Sequence, residues 1–228
     1  MTLEIPPEWH VNKNVVASWP EANQLYNRLF TLGDIVPLKY SYNPDSILKQ
    51  LDVWEDYWQK YNPRDGGIPR YGLPYTSIDG NIIDPISLDS IRVYNQLNGT
   101  RYLEEHFCHL TDVGKNIKEL QPLNEMLGDQ IYRSHFLRLS KGGFFPPHRD
   151  AIYNTSFRLI MPLDFKQDTT FFMYEGKPLN LENGRVYLMN TVKIHSLFSM
   201  VNHMTMLVFN VGLNERIVKD IYSNLSGM

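Results

Sequence analysis

The spacing of apolar residues changes character near residue 128. Before that point the clearest period is helical. Ile47, Leu48, Leu51, Trp54, Tyr57 and Trp58 recur at steps of three and four, which predicts a helix over Pro44–Tyr61 with Asn43 or Asp45 as its cap. Glu21–Leu32, bounded by Pro20 and Gly33, reads as a shorter helix, and Lys115–Leu127 as another, with Ile117, Leu120, Leu123 and Leu127 on one side. Val36–Tyr40 suits a short strand. Asn62–Pro85 is dense in turn signals, Gly66-Gly67, Gly72 and Asp79-Gly80 among them, and reads as an irregular segment: a binding loop or a surface connection.

After Gly128 the period shortens to that of strands. Ile131–Leu139, Phe157–Leu163, Thr169–Tyr174, Arg185–Met189, Ile194–Phe198 and Met204–Val211 are strand candidates. Turns separate them at Ser140–Gly143, Glu175-Gly176 and Asn183-Gly184, the last a two-residue hairpin signal. Regularly spaced short strands predict a mainly β fold of the jelly-roll kind with flanking helices. The expected organisation is one domain over residues 1–228, a helical and loop-rich half (1–128) against a β-core (129–215).

Composition narrows this picture further. With 43% apolar and 21% charged residues, the chain can fill an ordinary globular core. A net charge of −3 without a basic block gives no nucleic-acid footprint. No apolar run approaches the ~20 residues of a membrane span. The single cysteine, Cys108, excludes an internal disulfide and a cysteine-rich zinc site. Without a basic-then-apolar leader pattern in Met1–His10, the expectation is a reducing, cytoplasmic setting, which also keeps iron ferrous.

The candidate chemistry begins at Phe144–Asp150, which ends in a His-x-Asp pair. In an extended segment residues i and i+2 share a face, so His148 and Asp150 can reach one metal while Arg149 points away. His195, in a later strand, supplies a third ligand from a facing strand, with His203 as a competitor. Two histidines and a carboxylate, leaving open positions, suit mononuclear iron(II).

Three segments carry a family likeness: Phe145-Pro-Pro-His148-Arg-Asp150, the strand Asn154–Leu163 with Arg158 inside it, and Leu181–His195 with its Glu-Asn-Gly184 turn. Phe136–Leu213 thereby resembles the Fe(II)/2-oxoglutarate-dependent dioxygenases, in particular the aspartyl/asparaginyl β-hydroxylase-like branch. The resemblance covers about a third of the chain and none of the first 130 residues. It implies a double-stranded β-helix, ferrous iron, 2-oxoglutarate and O₂, with decarboxylation to succinate coupled to hydroxylation of a C–H bond. It implies His148, Asp150 and His195 as the metal triad. Arg158 is the candidate anchor for the far carboxylate of 2-oxoglutarate, since a guanidinium fork matches a carboxylate. The chain departs from the family at Thr205, where many members place an arginine, so Arg138, His203 and Thr205 join Arg158 as co-substrate candidates.

For the substrate, a small molecule or peptide of amino-acid type, Arg70, Tyr71, Tyr75, Tyr153 and Asn210 are the candidate contacts. Two other classes compete. A cupin-type metalloenzyme that uses no 2-oxoglutarate would ordinarily gather more histidines around one metal. A non-catalytic β-sandwich binding module would use the His-x-Asp pair structurally. A serine hydrolase through Ser196 lacks a G-x-S-x-G elbow.

Overall fold

The structure is a computed structural model and describes residues 19–64, 66–150 and 155–226. In chain order it contains α1 (Trp19–Leu29), β1 (Ile35–Ser41), α2 (Pro44–Leu51), β2 (Gln59–Lys60), β3 (Arg70–Pro74), β4 (Thr76–Ser77), α3 (Ile91–Asn98), β5 (His109–Leu110), α4 (Asp112–Asn116) and α5 (Gln121–Leu127). There follow β6 (His135–Leu139), β7 (Phe144–His148), β8 (Ser156–Pro162), β9 (Thr170–Tyr174), β10 (Lys177–Pro178), β11 (Arg185–Met189), β12 (His195–Ser199), β13 (Met204–Gly212) and α6 (Glu215–Ser223).

Two antiparallel sheets face each other as a double-stranded β-helix. The larger has seven strands in the order β1-β11-β8-β13-β6-β3-β2, the smaller four in the order β10-β9-β12-β7. Strand alternation divides the core in two. Leu137, Ile160, Met189, Met206 and Val208 point inward to meet Phe172, Tyr174 and Leu197 of the smaller sheet. Their neighbours Phe136, Leu159, Leu188, Leu207 and Phe209 point outward, under a helical layer that buries Leu25, Leu29, Ile47, Leu51, Leu123 and Ile217. Each such side chain stabilises the fold by about 1.5–3 kcal/mol on burial, so the helices act as the second wall of the large sheet.

The N-terminal half is more than a helical cover, because β1, β2 and β3 all join the large sheet. The segment expected to be irregular contains β3, a buried strand paired along its length with β6. Gly72 there reads as a turn signal but is required by packing: an added Cβ would lie 2.4 Å from Leu88 Cδ2.

The expected long helix stops at Leu51 and continues as a 3₁₀ stretch, Asp52–Tyr57, broken at Trp54 (φ −106°, ψ 16°). Asn43 caps α2 through its side chain, as its position predicts. The 115–127 helix is also divided: Pro122, which cannot donate a helical hydrogen bond, stands at the start of α5. The Asn183-Gly184 hairpin is not formed. Gly184 (φ +79°) turns the chain into β11, donating its N–H to Pro162 and accepting from Tyr42. The tight hairpin is at Glu175-Gly176, where both φ values are positive, joining β9 to β10.

The smaller sheet ends at β7, whose sequence is Phe-Phe-Pro-Pro-His. Pro146 and Pro147 each lack a backbone donor; because successive N–H groups point to opposite sides, one loss falls on the free edge, which discourages a further strand from adding there.

Candidate metal centre

β7 and β12 are hydrogen-bonded neighbours, and their register sets His148 directly opposite His195. The distal histidine therefore comes from the adjacent strand of the same sheet, not from a facing strand. The imidazole centroids are 4.3 Å apart. Asp150, just beyond β7, is fixed by its backbone N–H, which donates to the Thr191 carbonyl at 2.9 Å. Its Oδ1 lies 3.7 Å from His148 Nε2 and its Oδ2 3.9 Å from His195 Nε2. One ligand atom from each of the three residues falls within 4.8 Å of the others, the spacing of donors around a single ion.

The orientation of both rings favours metal binding. His148 Nδ1 lies 2.7 Å from the Pro146 carbonyl, and His195 Nδ1 lies 3.0 Å from that of Lys193. A carbonyl only accepts, so each Nδ1 carries the proton and each Nε2 keeps its lone pair for a metal. Burial lowers the pKa of His195, which favours the neutral imidazole. Burial opposes ionisation of Asp150, but Arg158, His195, His148 and the Thr191 hydroxyl together outweigh it. The carboxyl therefore titrates below its ordinary range. Asp150 and His195 are thus both shifted towards their ligand forms.

The triad opens into a cavity between the sheets with about 540 Å³ of free space, its mouth included. Tyr61, His135, Arg158, Thr191 and the triad supply the polar lining. The remainder is apolar: Leu137, Phe145, Ile160, Phe172, Met189, Leu197, Met206 and Val208.

Of the sequence-predicted residues, the structure gathers His148, Asp150, His195 and Arg158. Arg158 is at the ligand end, its Nε 2.6 Å from Asp150 Oδ2, rather than at the far end of the cavity. Three other co-substrate candidates lie elsewhere. Arg138 is on the opposite face of β6, ion-paired to Glu55 at 2.7 Å and stacked 3.9 Å from the Trp58 ring centre. Thr205 pairs with Arg138 and shares that outer face. His203 is exposed in the turn before β13, at φ +65°.

The substrate candidates scatter similarly. Tyr75 is fully buried under the helical layer, its hydroxyl donating to Asn124 at 2.8 Å. Tyr71 pairs with Arg138 and lies beneath Lys60 on the outer face. Arg70 is buried behind Phe145, its guanidinium carbon 4.3 Å from that ring centre. Asn210 is beside Arg158 in the sheet register, and its amide donates to Glu104 at 2.8 Å. Tyr153 lies outside the described residues.

Sequence reasoning missed Tyr61, His135 and Thr191. For His135 a signal existed: it shares strand parity with Leu137 and Leu139, a polar member of an otherwise apolar inward row. His135 is fully enclosed, its ring 5.1 Å from that of Tyr61, and its Nδ1 has no hydrogen-bond partner. Burial, reinforced by Arg133 and Arg158, holds its pKa well below the ordinary imidazole value, so it is neutral.

No protein-family model matches the sequence, and no curated protein matches it. Among solved structures the chain is similar to an oxidoreductase of the 2OG-Fe(II) oxygenase family from Burkholderia pseudomallei. The two are 17% identical over 85% of this chain and 94% of that one, with a TM-score of 0.45. It is also similar to a salicylate 1,2-dioxygenase from Pseudoaminobacter salicylatoxidans, 10% identical over 81% of this chain and 36% of that one, TM-score 0.33. A predicted oxalate decarboxylase from Thermotoga maritima is 16% identical over 40% of this chain and 74% of that one, TM-score 0.31.

Proposed function

We propose that this chain is a mononuclear iron(II) oxygenase that couples decarboxylation of a 2-oxo acid to hydroxylation of a C–H bond in an amino-acid-like substrate, free or in a peptide. One observation carries the reading. Two Nε2 atoms, each turned inward by a backbone carbonyl on its Nδ1, converge with one ionised carboxylate at the head of a cavity. A structural His-x-Asp pair has no need of a second histidine in register or of two matched tautomers.

The residues fit the metal: a His₂-carboxylate set suits ferrous iron and leaves positions for other ligands. Bound there, iron(II) would supply O₂ activation coupled to oxidation of the 2-oxo acid. His148, Asp150 and His195 would hold the ion. Arg158 holds the Asp150 carboxylate through Nε, and its guanidinium, part of the cavity lining beside the triad, would receive the carboxylate of a 2-oxo acid. 2-Oxoglutarate, which the family resemblance implies, fits less completely: Arg158 suits one carboxylate, but the inner wall gives the other no cation among the described residues.

A reducing, cytoplasmic setting agrees with this chemistry. Among the described residues no helix is long and apolar enough to cross a membrane.

The test is to reconstitute the protein with Fe(II) and measure O₂ consumption and CO₂ release with a panel of 2-oxo acids, with and without amino acids and short peptides. Stimulated turnover supports an oxygenase. Stoichiometric iron with no consumption of any 2-oxo acid favours the cupin-type alternative, and absence of iron binding favours a binding module.

A further inference from the structure

The inward-facing residues of the large sheet form rows across its strands, and their chemistry changes with depth. At the metal end Asn210, Arg158 and Met189 are register partners. The next row is His135, Val208 and Ile160. The row after that pairs Leu137 with Met206. Opposite it, the small sheet sets Leu197 between Phe172 and Phe145. The inner end of the cavity is therefore five apolar side chains. Thr205, one residue from Met206, faces the helical layer, so Met206 occupies the inward position of that strand.

A dicarboxylate with one end at the metal would carry its second charge into this wall. Burying a carboxylate without a partner is strongly disfavoured. Arg158 is the cation of the lining among the described residues, and it lies at the metal end beside Asp150. His135, midway along, is held towards its neutral form by burial, so it offers a hydrogen bond rather than a fixed charge. Arg70 stands one row deeper, level with Leu139 and Met204; its guanidinium carbon is 4.3 Å from the Phe145 ring centre, and it is not among the residues that line the free space. An aliphatic or aryl tail, by contrast, gains from burial against Leu137, Leu197, Met206, Phe145 and Phe172.

We propose that the cavity takes a monocarboxylic 2-oxo acid with an apolar tail in preference to 2-oxoglutarate. This rests on the mononuclear iron reading above. Within it, Arg158 meets the acid head and the Leu137–Met206 row accepts the tail.

The experiment loads the full-length protein with Fe(II) under argon and first measures bound iron. It then titrates 4-methyl-2-oxopentanoate, phenylpyruvate and 2-oxoglutarate, following the visible metal-to-ligand charge-transfer absorption and the heat of binding. The expected result is that at least one apolar-tailed acid binds about tenfold tighter than 2-oxoglutarate or better. Met206→Arg, which places a cation in the inner wall, should shift the preference towards 2-oxoglutarate by about tenfold or more. Tighter binding of 2-oxoglutarate by the native protein overturns the proposal, and its loss in Arg70→Met would then identify Arg70 as the anchor. Iron-loaded protein that binds none of the three acids also overturns it. Failure to take up iron overturns the metal reading itself, a separate result seen before any acid is added. If Met206→Arg does not fold, the ranking in the native protein decides.

Discussion

Arg158 and Asp150 form an ion pair at 2.6 Å, which ties the positive charge of the cavity lining to the carboxylate of the His148–Asp150–His195 cluster. The pair ties the residue just beyond β7 to β8, and it sets the end of the cavity at which an anion is best received. Arg158→Met should leave bound iron near its native stoichiometry. It should weaken 2-oxo acid binding by about 10- to 100-fold, the loss of one charge-assisted hydrogen bond of ~1.5–3 kcal/mol. Anaerobic titration of the iron-loaded variant measures this. Unchanged affinity would move the acid site away from Arg158.

His148→Ala, Asp150→Ala and His195→Ala should each abolish stoichiometric Fe(II) binding while leaving the far-ultraviolet dichroism of the fold in place. Iron is assayed by chelator colour after gel filtration. Full iron retention in all three variants would remove the triad from consideration.

Tyr75→Phe separates packing from function. The hydroxyl donates to Asn124 within the helical layer, away from the cavity. Its removal should cost about 1–2 kcal/mol of stability, by leaving a buried acceptor unpaired, with iron and acid binding unchanged. Thermal unfolding gives the first quantity and the titration above the second. A selective loss of ligand binding would restore Tyr75 as a contact.

Asp164 gives a pH dependence of defined sign. Burial raises its pKa from an ordinary 3.8 to about 6, although the Thr205 N–H donates to it. The folded chain thus holds this proton more tightly than the unfolded chain, so the residue costs stability as pH rises between about 4 and 6, and the full cost persists above that window. Asp164→Asn keeps an acceptor and removes the charge. Its stability gain over the native protein should be larger at pH 7 than at pH 4, by up to about 3 kcal/mol. Chemical denaturation at the two pH values checks this; an equal difference at both would show that Asp164 titrates normally.

The convergence of His148, Asp150 and His195 was readable from sequence because strand geometry brings them together. His148 and Asp150 are two residues apart at a strand end, and His195 begins another strand. What was not readable depended on parity and on context. Thr205 and Met206 are adjacent, yet one faces the helices and the other the cavity, and a one-residue difference in register exchanges them. Arg138 suffers the same ambiguity, resolved by Glu55 and Trp58 from a segment 80 residues earlier. β3 was obscured because Gly72 and Pro74 look like punctuation, whereas Gly72 makes room for Leu88, a contact that only the folded chain reveals. The seven-stranded sheet therefore recruits strands that local pattern assigns to loops.

The register of β7 against β12 would give a bound metal a second role. β7 is the terminal strand of its sheet, held on one side only, and its prolines leave it fewer backbone hydrogen bonds than an ordinary strand. An ion shared by His148 and His195 would bolt this loosely fastened margin to its neighbour through side chains. Metal occupancy should then be legible in amide exchange and protease resistance around residues 144–148 before any turnover is measured.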